Sequence, residues 1–369
     1  MLKVLTLVGT RPELIKLSCV MTELDKHVNH VLVHTGQNYD FELNEIFFRD
    51  LNISKPKHFL QAAGSNPAET IARVIERFDA ILELEMPDAV LLLGDTNSCL
   101  GVIAAKRRKI PIFHMEAGNR CFDQRVPEEI NRKVVDHLSD INLVYTEHAR
   151  RYLLAEGIPP DTVIKTGSPM REVLSTFAMQ IEASEALINL KLLPQQYFLV
   201  SAHREENVDQ PERLKQLMES LQLLSEEHQK QIIFSVHPRT QARLESFGIK
   251  NNPNIEYLKP LGFFDYIKLQ KNAFCVISDS GTITEEASIL GFPAITVREA
   301  HERPEGMDEG AIIMTGLKAE RIIEAVNIVT NQKDVFHTPC DYKVDNVAGK
   351  VLRIILSYTD FVNRTVWRN

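Results

Sequence analysis

Carboxylates recur where a short apolar run gives way to glycine and polar residues. Ala89–Leu93 runs into Gly94-Asp-Thr-Asn97, Ile112–Met115 runs into Glu116-Ala-Gly-Asn-Arg120, and Pro127 precedes Glu128, Glu129, Asn131 and Arg132. Any one of them can serve as a turn residue or complement a helix dipole. Gathered beside cations they would do more. Like-charge crowding raises one pKa and leaves another low, which makes a general acid and a general base from one residue type. Asp95, Glu116 and the Glu128–Glu129 pair are therefore candidates for proton transfer.

A second group suits an anion. Ser280-Gly-Thr282 sits directly before a helical pattern, so backbone N–H groups and two hydroxyls could receive a diphosphate. The same residues also make an ordinary helix cap. Glu285 and Glu286 follow within a turn, where a carboxylate could accept ribose hydroxyls, and Arg303 could add charge. His203, followed by Arg204, ends an apolar run and could donate to a phosphate oxygen; a hydrogen-bonded structural histidine is the alternative. Lys16 is either a phosphate or sugar contact or a solvent-facing helix lysine. The chain has no G-x-x-x-x-G-K-[ST] and no G-x-G among its 16 glycines, so P-loop chemistry and bound NAD are not expected.

These groups need elements to position them. Short Val/Ile/Leu runs predict strands at 3–8, 30–34, 89–93, 112–115, 141–145 and 163–165, and again at 197–202, 232–236, 255–258, 274–278, 294–297 and 312–314. Helical patterns lie between them, at 12–24, 68–84, 128–138, 211–224 and 282–290. Continuous apolar strands, rather than alternating ones, indicate parallel sheets covered on both faces. Two such sets read as two doubly wound α/β domains, at 1–170 and 171–345, with Leu192-Leu-Pro-Gln-Gln196 as a linker before the second sheet. A final helix, about 346–358, could pack on either. In such sheets ligands bind beyond the carboxyl ends of the strands. Nearly every predicted strand here ends in a polar or glycine-rich tip: Gly9-Thr-Arg-Pro-Glu13, Thr35-Gly-Gln-Asn-Tyr39, His237-Pro-Arg-Thr240 and Arg298–Glu305 join those above.

Composition narrows the class. At roughly 150 residues per domain, 369 residues suggest two. The chain is 44% hydrophobic and 25% charged, which is ordinary for a globular protein. Its net charge of −8 disfavours nucleic acid as a partner, though not a single phosphorylated ligand. No apolar run approaches the ~18 residues of a membrane span, and no signal-peptide core is evident, so a cytoplasmic protein is expected. The five scattered cysteines contain no C-x-x-C, and the 12 histidines no H-E-x-x-H, so neither a disulfide framework nor a metal site is expected.

As an ordered set the motifs resemble the non-hydrolysing UDP-N-acetylglucosamine 2-epimerases. They are Gly9–Glu13, Thr35-Gly-Gln37, Gly94-Asp95, Glu116-Ala-Gly118, Pro127-Glu-Glu-x-Asn-Arg132, His203-Arg-x-Glu-Asn207, Ser278-Asp-Ser-Gly281, Glu285-Glu286 and Glu302-Arg-Pro-Glu305. The resemblance spans nearly the whole chain. It implies two Rossmann-like domains of the glycosyltransferase-B type, a site in the cleft between them, a last helix (346–369) crossing back to the N-terminal domain, and a homodimer. It also implies a reaction that needs no cofactor: UDP is eliminated to a 2-acetamidoglycal and returned after C2 is protonated on the other face.

By the same resemblance Asp95, Glu116, Glu128 and His203 are the catalytic residues. Arg11, Lys16, Ser280, Gly281, Thr282, Glu286 and Arg303 contact the UDP-sugar, and Leu261 and Tyr266 hold the uracil. The segment Glu116–Pro127 departs from the UDP-GlcNAc enzymes, being shorter and lacking their Leu-Arg-Thr after the glycine. Asn119, Cys121, Phe122 and the Glu299–Asp308 run resemble instead a branch that converts UDP-2-acetamido-2,6-dideoxy-L-talose to the L-fucosamine nucleotide for capsule or O-antigen. Alternatives are UDP-GlcNAc/UDP-ManNAc epimerisation, a UDP-L-rhamnosamine epimerase, a UDP-sugar glycosyltransferase and a non-catalytic UDP-sugar sensor. Glu205 replaces a second arginine common after His-Arg, which places an allosteric UDP-GlcNAc site in doubt.

Overall fold

The computed structural model describes residues 1–36, 47–249, 252–332 and 336–368; Gln37, Asn38 and Tyr39 of the second strand-end motif lie outside them. The chain divides into two units, Met1–Thr176 with Cys340–Asn369, and Phe177–Pro339.

The first unit is built on a seven-stranded parallel sheet. Its strands are β1 Lys3–Val8, β2 Asn29–His34, β3 His58–Phe59, β4 Ala89–Leu93, β5 Ile112–Met115, β6 Ile141–Val144 and β7 Val163–Lys165, in the order β3-β2-β1-β4-β5-β6-β7. The second unit has six parallel strands: β8 Tyr197–Ser201, β9 Gln231–Ser235, β10 Ile255–Leu258, β11 Cys275–Ser278, β12 Ala294–Thr296 and β13 Ile313–Met314, in the order β10-β9-β8-β11-β12-β13. Both orders reverse between the first and fourth strand of the unit, at β1/β4 and at β8/β11. That switch point is where a doubly wound sheet opens a crevice.

The continuous apolar strands follow from burial on both sides. Phe198 and Val200 of β8 enter one core cluster while Tyr197 and Leu199 enter another, and Ile232 and Phe234 of β9 alternate with Ile233 in the same way. In the first unit Leu5, Leu7, Val31, Val33, Val90 and Leu92 meet Phe78 and Leu82 of the helix Pro67–Glu85. Asn66 starts that helix by accepting the N–H of Glu69 at 2.9 Å.

Four expectations change. The two-residue β3 has too few residues to show a periodicity. The segment 192–196 is no linker: Leu192 lies in the core of the second unit, and Gln195 is tied through its backbone to Asn272 and through its side chain to Ala273. The units part at Thr176/Phe177 and not at 170/171, because the helix Met170–Thr176 packs on the helix Arg11–His27. The chain rejoins the first unit at Cys340 rather than 346. There Asp341 accepts the N–H of Ser168 on its carbonyl, and that of Glu147 on its carboxylate at 3.1 Å. The helix Val347–Val362 then lies along Arg11–His27, burying Val347, Val351, Ile355 and Val362.

Candidate active site

In the first unit, strand ends β1, β4 and β5 carry the polar groups. Gly94 N donates to Met115 O at 3.0 Å, so Asp95 and Glu116 leave neighbouring strands side by side. Each meets a cation. Arg132, from the helix Pro127–Leu138, places Nε 2.7 Å and Nη2 2.6 Å from Asp95 Oδ2. Lys16, in the helix after β1, is an ion-pair partner of Glu116 and is almost wholly buried, with its ammonium 5.7 Å from the centre of the Tyr145 ring. Lys16 is thus a member of the carboxylate cluster and no solvent-facing lysine. Asn119 donates to Glu116 Oε1 at 3.4 Å, and Asn131 donates to the Asp95 carbonyl at 2.9 Å.

The adjacent glutamates 128 and 129 separate. Glu129 is fully buried and holds the loop before its helix: it accepts from Cys121 N at 3.1 Å, Phe122 N at 3.3 Å and Arg132 Nη1 at 3.2 Å. Glu128, one helical turn before Arg132, is half-buried. Arg11 lies with its guanidinium carbon 5.7 Å from the centre of the Phe47 ring.

Behind this cluster, Glu13 links two strand-end loops. Its Oε2 accepts from Gly9 N at 2.5 Å and Thr10 N at 3.1 Å, and its Oε1 from the Thr96 hydroxyl at 2.6 Å. Burial, with Asp95 nearby, outweighs these hydrogen bonds and pushes its carboxyl up to about 7.

In the second unit, Asp279 organises the switch point. It is fully buried just beyond β11 and accepts the N–H groups of His203 at 3.0 Å and Arg204 at 3.0 Å, and the Asn207 amide at 3.1 Å. The His203 ring, 3.4 Å from the same carboxylate, remains 40% exposed. The Ser280 and Thr282 hydroxyls lie 3.1 Å apart at the start of the helix Ile283–Leu290. A small cavity beside this turn is lined by Ser280, Gly281, Thr284, Arg298 and Arg303. Both arginines are buried against acids, Arg303 Nε 2.9 Å from Glu285 and Arg298 Nη1 2.8 Å from Glu302. Glu286, also buried, accepts the Gln270 amide at 2.7 Å.

Leu261 and Tyr266 pack against the second unit's core, and the Tyr266 hydroxyl is hydrogen-bonded to Ser201 and Gln270. Burial, with Glu286 close by, pushes that phenol up. The residue as a whole is half-buried.

Sequence reading passed over Arg132, Glu13 and Asp279 as site residues. Arg132 and Asp279 stood inside the motifs quoted above, but nothing in spacing says that one side chain pairs with Asp95 and the other gathers three N–H donors.

Two parallel sheets of Rossmann order, each with charged groups at its switch point, define a two-domain α/β enzyme of the glycosyltransferase-B type. Residues 22–356 match the UDP-N-acetylglucosamine 2-epimerase family, and the chain belongs to that family. A solved structure described as UDP-N-acetylglucosamine 2-epimerase from Rickettsia bellii is 57% identical over the full length of both chains, with a TM-score of 0.93. The Methanocaldococcus jannaschii UDP-GlcNAc 2-epimerase, crystallised with UDP-GlcNAc and UDP, is 36% identical over 96% of this chain and all of its own, with a TM-score of 0.92. The UDP-2,3-diacetamido-2,3-dideoxy-D-glucuronate 2-epimerase of Pseudomonas aeruginosa is 33% identical over 88% of this chain and 91% of its own. The protein is accordingly a UDP-sugar 2-epimerase, an isomerase of the non-hydrolysing kind.

Proposed function

We propose that the protein inverts C2 of a UDP-2-acetamido-2,6-dideoxy-L-hexose, interconverting the L-talo and L-fuco forms for capsule or O-antigen synthesis. The observation that carries this choice is the segment 119–122. It reads Asn-Arg-Cys-Phe, a departure, by the resemblance above, from the Leu-Arg-Thr of the UDP-GlcNAc enzymes, and it touches the carboxylate cluster directly. Asn119 donates to Glu116, and Cys121 Sγ is 3.4 Å from Glu129 and 3.9 Å from Arg132. A change there alters what the sugar ring meets beside the reacting carbon.

The C2 proton is not next to a carbonyl, so simple deprotonation would leave an unstabilised carbanion. In the proposed route a carboxylate takes the C2 proton while the C1–O bond to UDP breaks, and C1=C2 forms. The glycal is then protonated at C2 on the opposite face, and a UDP oxygen re-forms the bond to C1. Asp95, Glu116 and Glu128 are the proton carriers, with Lys16 and Arg132 fixing the first two of them. His203, Ser280, Gly281, Thr282 and Arg303 receive the diphosphate and Glu286 the ribose, while Arg11 contacts the sugar nucleotide and Leu261 and Tyr266 flank the uracil. The proposal includes a cytoplasmic homodimer, for which light scattering should give twice 42.0 kDa.

UDP-GlcNAc/UDP-ManNAc epimerisation is the second reading, and the names of the Rickettsia and Methanocaldococcus relatives favour it. Proton NMR in D2O separates the two. Deuterium entering C2 of UDP-2-acetamido-2,6-dideoxy-L-talose, with a second UDP-sugar appearing, supports the first; incorporation only with UDP-GlcNAc replaces it with the second. Release of free sugar in step with UDP would overturn both.

A further inference from the structure

We infer that His114 and Asp136 form a buried clamp that positions the Asp95 and Glu116 loops for proton transfer. The inference rests on the catalytic reading of those two carboxylates. Its starting point is Glu116 itself, whose φ of 63° lies in the left-handed region that glycine normally occupies. Such a conformation costs a non-glycine residue energy and persists only where the surroundings fix it. The flanking turns are left-handed too, through Gly94 and Gly118, both at φ 80°.

What fixes them is a chain of contacts beneath the site. His114, on β5, is 1% exposed and Asp136, on the helix Pro127–Leu138, is fully buried. His114 Nε2 donates to Gly94 O at 2.8 Å, which holds the carbonyl just before Asp95. Its Nδ1 lies at ion-pair distance from Asp136 Oδ1, 2.9 Å, without hydrogen-bond geometry. Asp136 accepts Gly118 N at 3.2 Å, two residues after Glu116, and Arg120 Nη1 at 2.7 Å. Arg120 in turn donates to Asn119 O at 2.8 Å and grips Glu156 with Nε at 2.8 Å and Nη2 at 2.7 Å. A single histidine–carboxylate pair thus bonds to the backbone of both loops. Neither residue belongs to the carboxylate cluster itself, so both are positioning residues.

Two histidine variants separate positioning from bulk stability. Glutamine can place its amide N–H near the Nε2 position and keep the bond to Gly94 O, whereas asparagine is too short to reach it. His114→Asn and Asp136→Asn should each lower kcat at least about tenfold with KM changed less than about threefold, since a small misplacement of reacting groups is costly. Both should speed amide hydrogen exchange in peptides covering 93–97 and 116–121. His114→Gln should restore kcat to within about threefold of the parent. The clamp is refuted if folded His114→Asn keeps parental kcat and exchange. It is equally refuted if the asparagine and glutamine variants lose the same activity in proportion to their unfolding temperatures. Should Asp136→Asn fail to fold, the histidine pair decides. If the parent enzyme turns over no UDP-sugar offered, the functional reading fails, and the exchange measurements still decide the clamp.

Discussion

Asp95 and Glu116 each face a buried or nearly buried cation, Arg132 and Lys16, so their positions are set by ion pairs as well as by the backbone. Removing the charge at either should act on chemistry more than on binding. Asp95→Asn and Glu116→Gln are expected to lower kcat by roughly 10²–10⁴-fold. Calorimetric UDP affinity should stay close to parental, and a comparable loss in UDP binding would contradict the assignment. Glu13 makes a different prediction. Its folded-state pKa of about 7 exceeds the ordinary 4.5, so the folded protein holds this proton more tightly than the unfolded chain. Its contribution to stability is therefore complete below about pH 4.5 and is lost as pH rises to about 7, on the order of 3 kcal/mol in all. Denaturant unfolding at pH 5 and pH 7.5 should show a smaller pH difference for Glu13→Gln than for the parent.

At the scale of elements, strand ends turn sharply to present these groups, and one of the turns leaves no room. Gly118 is left-handed, and an added Cβ would lie 2.5 Å from the carbonyl oxygen of Ala149, a backbone atom that cannot swing away. Gly118→Ala should destabilise the first unit by more than about 2 kcal/mol through strain and clash together. A shift of only a few tenths in urea unfolding would show that the turn yields. Gly281 contrasts with it. A Cβ there would meet Glu302 and Arg204 only at 3.5 and 3.7 Å, ordinary contact distances, so Gly281→Ala should leave stability unchanged. If a phosphate lies on that turn, as proposed, the same substitution should weaken UDP binding about tenfold or more. Unchanged affinity would move the diphosphate elsewhere.

At the scale of the molecule, the C-terminal segment completes the first unit. Val347, Val351, Ile355 and Val362 are fully buried, and each contributes roughly 1.5–3 kcal/mol by burial. Their sum is comparable to the whole stability of a typical domain, about 5–15 kcal/mol. Ending the chain after Pro339 should therefore leave the first unit unable to hold its fold while the second, Phe177–Pro339, survives. Limited proteolysis should yield a resistant fragment from the second unit alone. A truncated chain with both units resistant would show that the helix is dispensable.

The local signals carried far. Continuous apolar runs marked all the strands except β3, most within a residue of their ends, because a strand covered on both faces must be apolar at every position. The motifs placed Asp95, Glu116 and Ser280 at strand ends, since turns and caps are written in local residue types. Partners across the fold were not legible. Lys16 meets Glu116 across 100 residues, Arg132 meets Asp95 across 37, and His203 meets Asp279 across 76. Spacing likewise could not say which of Glu128 and Glu129 is buried, although the resemblance singled out Glu128: two identical side chains on adjacent helix positions point about 100° apart, and only the packed helix decides which is buried. Sequence alone determined the parallel α/β class and the strand ends where the charged and polar groups sit. Tertiary structure decided which charges pair there, because ion pairing and burial depend on distance in space, and local spacing carries no record of it.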